Sequence, residues 1–279
     1  MAKVESSPVG NIIKHGFVWF ILGFAFLPLY LMIVISFKTN EQFQKNPWFF
    51  DPIKDWQWQN WSSAWEIVST YISNSVFVSV LSTSITICIV LSAAYVIARY
   101  RFPGRNIIFY LILGTMFLPG TAASLVTTFN LYDNLNLVNS IYSLVIAGTI
   151  SGQVMGIFLL KNFIEDIPKE LFESVQIDGG GHFAQIRHIV IPMSRSVIGV
   201  AVIMDFLSTW NNTIFPLIML RDPELYTIPV GLLYLEGEYV KQWGEMMAGF
   251  AIGSIPLLLL FLFSMKLFVK GLGAGAVKG

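Results

Sequence analysis

Charge is scarce in this sequence. Only 12% of its 279 residues are Asp, Glu, Lys or Arg, whereas 55% are hydrophobic. A soluble domain carries roughly 25% charged residues, so a surface that faces water everywhere is excluded. The formal net charge is zero, which removes the basic footprint that a nucleic-acid binder needs. Cysteine is almost missing: Cys88 stands alone in an apolar run, and disulfides and cysteine-rich metal sites are excluded with it. Histidine is also thin. His182 and His188 lie six residues apart rather than at the i, i+4 spacing of a helical zinc pair, and these two and His15 read as structural or solvent-facing. No internal repeat is apparent, so the inverted halves of many secondary transporters find no support.

What the chain has in abundance is long apolar runs. A hydrocarbon core of ~30 Å takes about 20 apolar helical residues to cross. Six runs qualify, at about 16–37, 72–98, 106–129, 141–163, 197–220 and 245–268. The first is too long for the apolar part of a signal peptide and lacks a small-residue cleavage site, so it is expected to be a retained helix. Lysine and arginine then set the orientation. With the N-terminus inside, twelve of the seventeen fall on inner segments, among them Arg99, Arg101, Arg105, Lys161 and Arg187. The fold class is therefore an all-α integral membrane protein with six transmembrane helices, N-in/C-in. It divides into residues 1–70, a core domain 71–268 with an inner loop 164–196, and a tail 269–279.

Several features along the chain carry two readings each. The outer loop of 38–70 holds five of the eight tryptophans, Trp48, Trp56, Trp58, Trp61 and Trp65. They suit an interfacial aromatic belt, or else docking of an external partner or stacking on a sugar ring. Pro119 in Phe117–Gly120 predicts a kink in the third span, tolerated where neighbours or a cavity satisfy the freed carbonyl. Gly148, Gly152 and Gly156 recur every four residues. Such a face allows close helix packing, within the chain or against a second membrane subunit. Asp205 is the one acid placed inside a span, where charge usually faces a water-filled cavity or the bundle interior. It shares a helical sector with Ser208, Thr209 and Asn212, while Trp210 and Asn211 point elsewhere. Polar groups beside an aromatic ring suit a sugar; interhelical hydrogen bonding is the other reading.

The inner loop is the most unusual stretch: "ELFESVQIDGGGHFAQIRHIVIP", Glu170–Pro192. Asp166 and Pro168 make a helix start. Leu171, Phe172 and Val175 lie on one side of the helix that follows, with Glu170 and Glu173 elsewhere. Gly179 is a stop signal after Asp178. A second short helix is expected over His182–Val190, exposing Phe183, Ile186 and Ile189 and closed by Pro192. The glycines do not form a phosphate cradle. The lysine and hydroxyl of a Walker A loop are missing, and so is the third glycine of a dinucleotide fold. The acids make this helix a poor match for an anionic lipid surface, which favours a protein partner.

Glu173–Gly179, nine further residues and then Ile189–Pro192 resemble the EAA loop of ABC-importer permeases, with Ser174 and Val175 in place of the two alanines and Ile191 in place of leucine. "TWNNTIFPL" (Thr209–Leu217), "YTIPVGL" (Tyr226–Leu232) and the tail "FVKGLGAGAVKG" (Phe268–Gly279) resemble the carbohydrate-uptake subgroup, specifically the six-span second permease subunit of maltose-type importers. The resemblance implies a type I ABC importer permease fold in a bacterial inner membrane. It also implies a heterodimer with a second permease subunit, two cytoplasmic ATPase subunits that hold ATP and Mg, and an extracytoplasmic binding protein that delivers the sugar. No cofactor would be bound by this chain. Leu171, Phe172, Glu173, Val175, Asp178 and Gly179 would form the coupling helix seated in an ATPase groove. Asp205, Ser208, Thr209, Trp210, Asn211 and Asn212 would line the substrate path. An ion- or proton-coupled secondary transporter is the main rival, but one intramembrane acid is few for that class. A membrane enzyme is the second rival, and no catalytic constellation appears.

Overall fold

The computed structural model describes residues 8–118, 122–238 and 242–276, with side chains over 14–118, 123–234 and 242–262. Among these residues every regular element is helical. The helices are α1 (Pro8–Ser36), α2 (Asn40–Lys45), α3 (Gln59–Arg99), α4 (Arg105–Gly114), α5 (Ala122–Asn134), α6 (Ile141–Ser151) and α7 (Gln153–Glu165). They continue with α8 (Lys169–Ile177), α9 (His182–Met193), α10 (Arg195–Trp210), α11 (Ile214–Met219), α12 (Ile228–Glu238) and α13 (Trp243–Ala276).

Four helical stretches are long and apolar enough to cross a membrane: Lys14–Ser36, Gln59–Arg99, Ile141–Glu165 and Trp243–Leu262. A fifth is obtained if α9 and α10, which meet at a bend of 84°, count as one span. Two of the six expected runs break. The run 106–129 stops at Leu118, whose backbone is extended. Its neighbour in sequence is Pro119, and a residue before proline is pushed out of the helical region. Pro119 and Gly120 themselves lie outside the described residues, as do 277–279 of the glycine-rich tail. The run 197–220 breaks between Trp210 and Ile214, where the Asn212 side chain accepts the Phe215 N–H at 3.3 Å and starts a new helix.

The chain forms two compact units. The first comprises residues 1–68 and 232–254. Its α1 exposes Phe17, Trp19, Phe20 and Phe24, apolar on all sides as a lipid-facing helix must be. After α1, the tryptophan-rich loop folds on itself. Phe37 has ring centroids 4.6 Å from Trp56, 4.9 Å from Trp58 and 5.4 Å from Trp61. Trp48, Trp58 and Trp65 keep exposed surface. Lys38 is buried and paired with Asp51. The Asn60 amide donates to the carbonyls of Ser36 at 2.9 Å and Lys38 at 3.0 Å.

The second unit comprises residues 69–231 and 255–279. It holds two apolar clusters. One gathers Val90, Ala94, Tyr95, Phe109, Leu160, Ile164, Phe172 and Val190. The other gathers Val78, Tyr132, Leu144, Val145, Met219, Tyr226 and Val230. Asn139, with φ 58°, closes the second cluster at one end. Its Oδ1 accepts the N–H groups of Arg221 at 2.9 Å and Asp222 at 3.1 Å, and its Nδ2 donates to the Asp222 carboxylate at 2.7 Å. Asparagine tolerates this left-handed backbone better than most residues.

Candidate functional site: an acidic helical loop and a polar joint between helices

Both candidate regions lie in the second unit. In the loop, α8 starts directly after Pro168, with no side chain capping it; Asp166 instead caps the end of α7. The end of α8 is tightly built. Gly180 N–H bonds to Val175 C=O at 2.8 Å and Gly179 N–H to Gln176 C=O at 3.0 Å. Gly179 sits at φ +79°, so these are the paired bonds of a Schellman motif with glycine in its left-handed position. A side chain on Gly180 would fall 2.5 Å from Val175 Cγ1 and 2.9 Å from the Val175 carbonyl, whereas one on Gly181 would meet nothing within 4 Å. Gly179 and Gly180 thus fix the joint rather than leave it loose.

The second helix is also built differently from expectation. The helical run passes through Pro192 to Met193, with a π-helical segment at Ile186–Val190. The wider i→i+5 turn just before the proline accommodates a residue that lacks an N–H. Phe183 is 75% exposed, as expected, but Ile189 is buried.

The loop is fastened to the end of α3. Phe172, expected to face a partner, is only 3% exposed and lies in the chain's own core. The Arg99 guanidinium sits over its ring at 3.8 Å. Gln185 Nε2 donates to the Phe172 carbonyl at 3.4 Å, and the Tyr95 hydroxyl donates to Gln185 Oε1. His182 Nδ1 hydrogen-bonds the hydroxyls of Tyr95 and Tyr100, which gives this histidine a structural role. Val175 is half-buried against the same core. The sequence pattern misassigned Phe172 because nine residues of amphipathic helix do not say which of two apolar surfaces covers them.

What remains outward is Leu171, Glu173, Asp178 and Gly179, joined by Glu170, Ile177 at 86% exposure and Phe183. Among the described residues, Glu170, Glu173 and Asp178 make no ion pair within the chain. Ile177 and Phe183 are the apolar members that the sequence reading left out of the contact set. The signal was present in the flanking Asp178 and glycines, since an apolar side chain beside a helix stop has little of its own chain to cover it.

The second region is centred on Asp205 of α10. The Gly148, Gly152 and Gly156 face turns inward within this chain. A side chain on Gly148 would meet Ser82 and Thr209, one on Gly152 the Asp205 carboxylate, and one on Gly156 Val90. Close packing inside the subunit is therefore the reading that holds for this face. Around it, Thr86 Oγ1 donates to Thr149 C=O at 3.3 Å and Ser82 Oγ to Val145 C=O at 3.1 Å. A depression of about 160 Å³ is lined by Ser151, Gly152, Met155, Asp205, Ser208 and their neighbours.

The six residues expected along a substrate path do not converge. Asp205 and Ser208 share that depression, and Thr209 faces Gly148. Trp210 is buried and stacked on Phe206 at 5.5 Å, so its ring is closed to a sugar within this subunit. Asn211 Nδ2 donates to Leu207 C=O at 2.9 Å, and Asn212 Oδ1 accepts the Phe215 N–H at the start of α11. The sequence reading missed the hydroxyl row on α3. Ser75, Ser79, Ser82 and Thr86, all buried, recur at four-, three- and four-residue spacing, the mark of one helix face.

Apolar helices of membrane-crossing length are thus interrupted by an acid-faced helical loop. The model of the family described as "Binding-protein-dependent transport system inner membrane component" matches residues 4–273, and the chain belongs to this family. It is 32% identical over 253 residues to the "Probable ABC transporter permease protein YurM" of Bacillus subtilis (strain 168), covering 90% of this chain and 83% of the relative. It is 29% identical over 283 residues to the "Arabinooligosaccharides transport system permease protein AraQ" of Halalkalibacterium halodurans, covering 99% and 100%. The fold matches, at a TM-score of 0.83 and 16% identity, a chain of the "Crystal structure of a bacterial ABC transporter involved in the import of the acidic polysaccharide alginate", covering 95% of this chain and 99% of that one.

Proposed function

We propose that this chain is the translocation subunit of an ATP-driven, binding-protein-dependent importer of a sugar or oligosaccharide, and that α8 couples it to an ATPase. The observation that carries the reading is a helix fastened from behind and unsatisfied in front. Phe172 and the Schellman joint hold α8 to the subunit. Glu170, Glu173 and Asp178 face outward with no ion pair among the described residues, beside exposed Ile177 and Phe183. Carboxylates around an apolar tip fit a groove with basic rims, where charge-assisted hydrogen bonds add orientation. A rigid attachment transmits displacement, so closure of the ATPases would rock the spans between outward- and inward-open states. ATP hydrolysis, with its Mg, belongs to the two ATPase chains. A second permease subunit and an extracytoplasmic binding protein complete the assembly, with both termini of this chain on the ATPase side of the inner membrane.

The sugar class rests on the likeness to AraQ, whose name specifies arabinooligosaccharides. Within this subunit, exposed Ser208 and Asn211 are the members of the expected path open to a solute. The test is Glu173→Lys in the assembled transporter. Charge reversal on the groove side should abolish co-purification of the ATPase, or leave ATP hydrolysis no longer stimulated by loaded binding protein. Uptake at the unaltered rate would refute the coupling role.

A further inference from the structure

Asp205 is 4% exposed, and its carboxylate is the least explained group in the second unit. Both of its oxygens are shielded from solvent without a hydrogen-bond partner, and so are Thr83 Oγ1 and Thr209 Oγ1. Buried polar groups left without partners are rare and call for a physical reason. Among the described residues no Lys, Arg or His pairs with Asp205. One buried charge with no counter-charge is strongly unfavourable.

The surroundings are oxygen-rich and neutral. Thr83 and Thr86 of α3 face the carboxylate, without closing a hydrogen bond of normal geometry. The Thr86 hydroxyl hydrogen is already directed at Thr149 C=O, which leaves its lone pairs free. Thr209 follows Asp205 by one helical turn, and its methyl group meets the same glycine stripe at Gly148. On the far side, Gly152 ends α6 and begins α7. The opposed dipole ends of these two helices offset one another there, so the backbone supplies no compensating charge. The packing is close: a side chain on Gly152 would overlap the Asp205 carboxylate outright. The depression of about 160 Å³ reaches Asp205 past Ser151 and Ser208.

From this arrangement we infer that Asp205, Thr83 and Thr86 form a binding site for a monovalent alkali cation, which pins α10 to α3 and the α6–α7 joint. Two carboxylate and two hydroxyl oxygens supply a hard-ligand set of the kind that suits a small cation without soft donors. Charge selects the valence. A single carboxylate neutralises one positive charge, and a divalent ion would leave an uncompensated charge in the bundle. The site belongs to this chain alone and does not depend on which ATPase or solute the subunit serves.

The test is thermal unfolding of the purified full-length protein in detergent, in NaCl, KCl and choline chloride at equal ionic strength. Saturating Na+ or K+ should raise the midpoint by about 4 °C over choline, as expected for a ligand at roughly ten times its dissociation constant. Asp205→Asn keeps the shape and removes the charge, and should melt at one temperature in all three salts. Thr83→Val removes one neutral ligand and should raise the half-saturating cation concentration about tenfold, the effect of a ~1.4 kcal/mol loss. Should Asp205→Asn fail to fold, the Thr83→Val titration decides. Equal midpoints for the wild-type protein in all three salts would overturn the site, as would a cation effect that persists in Asp205→Asn or an unchanged titration in Thr83→Val. A wild-type midpoint that follows pH and ignores the salt would mean a protonated acid, and would overturn it too.

Discussion

The guanidinium of Arg99, at the end of α3, lies 3.8 Å above the ring of Phe172 in α8. This contact joins the acidic loop to the longest helix of the chain and separates the two faces of α8 by function. The side facing Arg99 is cohesion with the subunit. The side bearing Glu170, Glu173 and Ile177 is open to others.

Phe172→Ala should therefore act as a core mutation, although it lies in the contact motif. Loss of a buried aromatic side chain costs about 3–5 kcal/mol, whereas Arg99→Ala removes a partly exposed cation–π contact of about 1 kcal/mol. Denaturant or thermal unfolding of the solubilised protein checks the order. Similar small losses for both would place Phe172 outside the core.

Ile177→Asp and Phe183→Asp should show the opposite pattern. Both side chains are exposed, so stability should change by less than about 0.5 kcal/mol, while assembly with the ATPase falls sharply. Pull-down of the ATPase beside a melting curve separates the two effects. Intact assembly in both variants would remove them from the partner surface.

The three glycines should rank by their geometry. Gly180→Ala would press on the Val175 carbonyl at 2.9 Å and the Val175 side chain at 2.5 Å, and should be the most damaging. Gly179→Ala carries a left-handed backbone penalty of about 1 kcal/mol. Gly181→Ala, with open space around it, should be neutral. Melting temperatures and uptake rates of the three variants test the ranking; equal effects would mean that the joint is loose.

Gly152→Ala should be severe, because its new methyl group would occupy the volume of the Asp205 carboxylate. Asp205→Ala should relieve it. The double variant is expected to be more stable than Gly152→Ala alone, with a coupling energy of about 1–3 kcal/mol, as for residues in direct contact. A double-mutant cycle by thermal unfolding measures this. Strict additivity would mean that the two positions do not touch.

Much of this protein was legible before its structure. Apolar runs near 20 residues gave most of the spans, and Gly179 with the acids before it marked the end of α8. Local rules suffice for such features, because a bilayer and a left-handed turn each constrain residues that are close in sequence. The same rules failed where the partner of a face was remote. Phe172 and Ile177 are both apolar residues of one short helix, yet one is buried under Arg99 and the other stands free. Ile189 and the hydroxyl row of α3 were misjudged or missed for the same reason. The six-residue substrate path fell apart because spacing along α10 cannot tell a cavity-facing side from one that meets the glycine stripe of α6 and α7.

The sequence by itself determined an all-helical membrane subunit and the position and acid character of its loop. Hydropathy, turn chemistry and net charge are properties of short stretches and need no fold to be read. Only the tertiary structure decided which side of α8 is anchored and which is offered. It alone also placed Trp56, Trp58 and Trp61 on Phe37 and brought Asp205 to Gly152 beside unpartnered hydroxyls. Each of those outcomes depends on helices far apart in the chain closing on one another, where removal from solvent and the space left by a missing side chain decide what a residue can do.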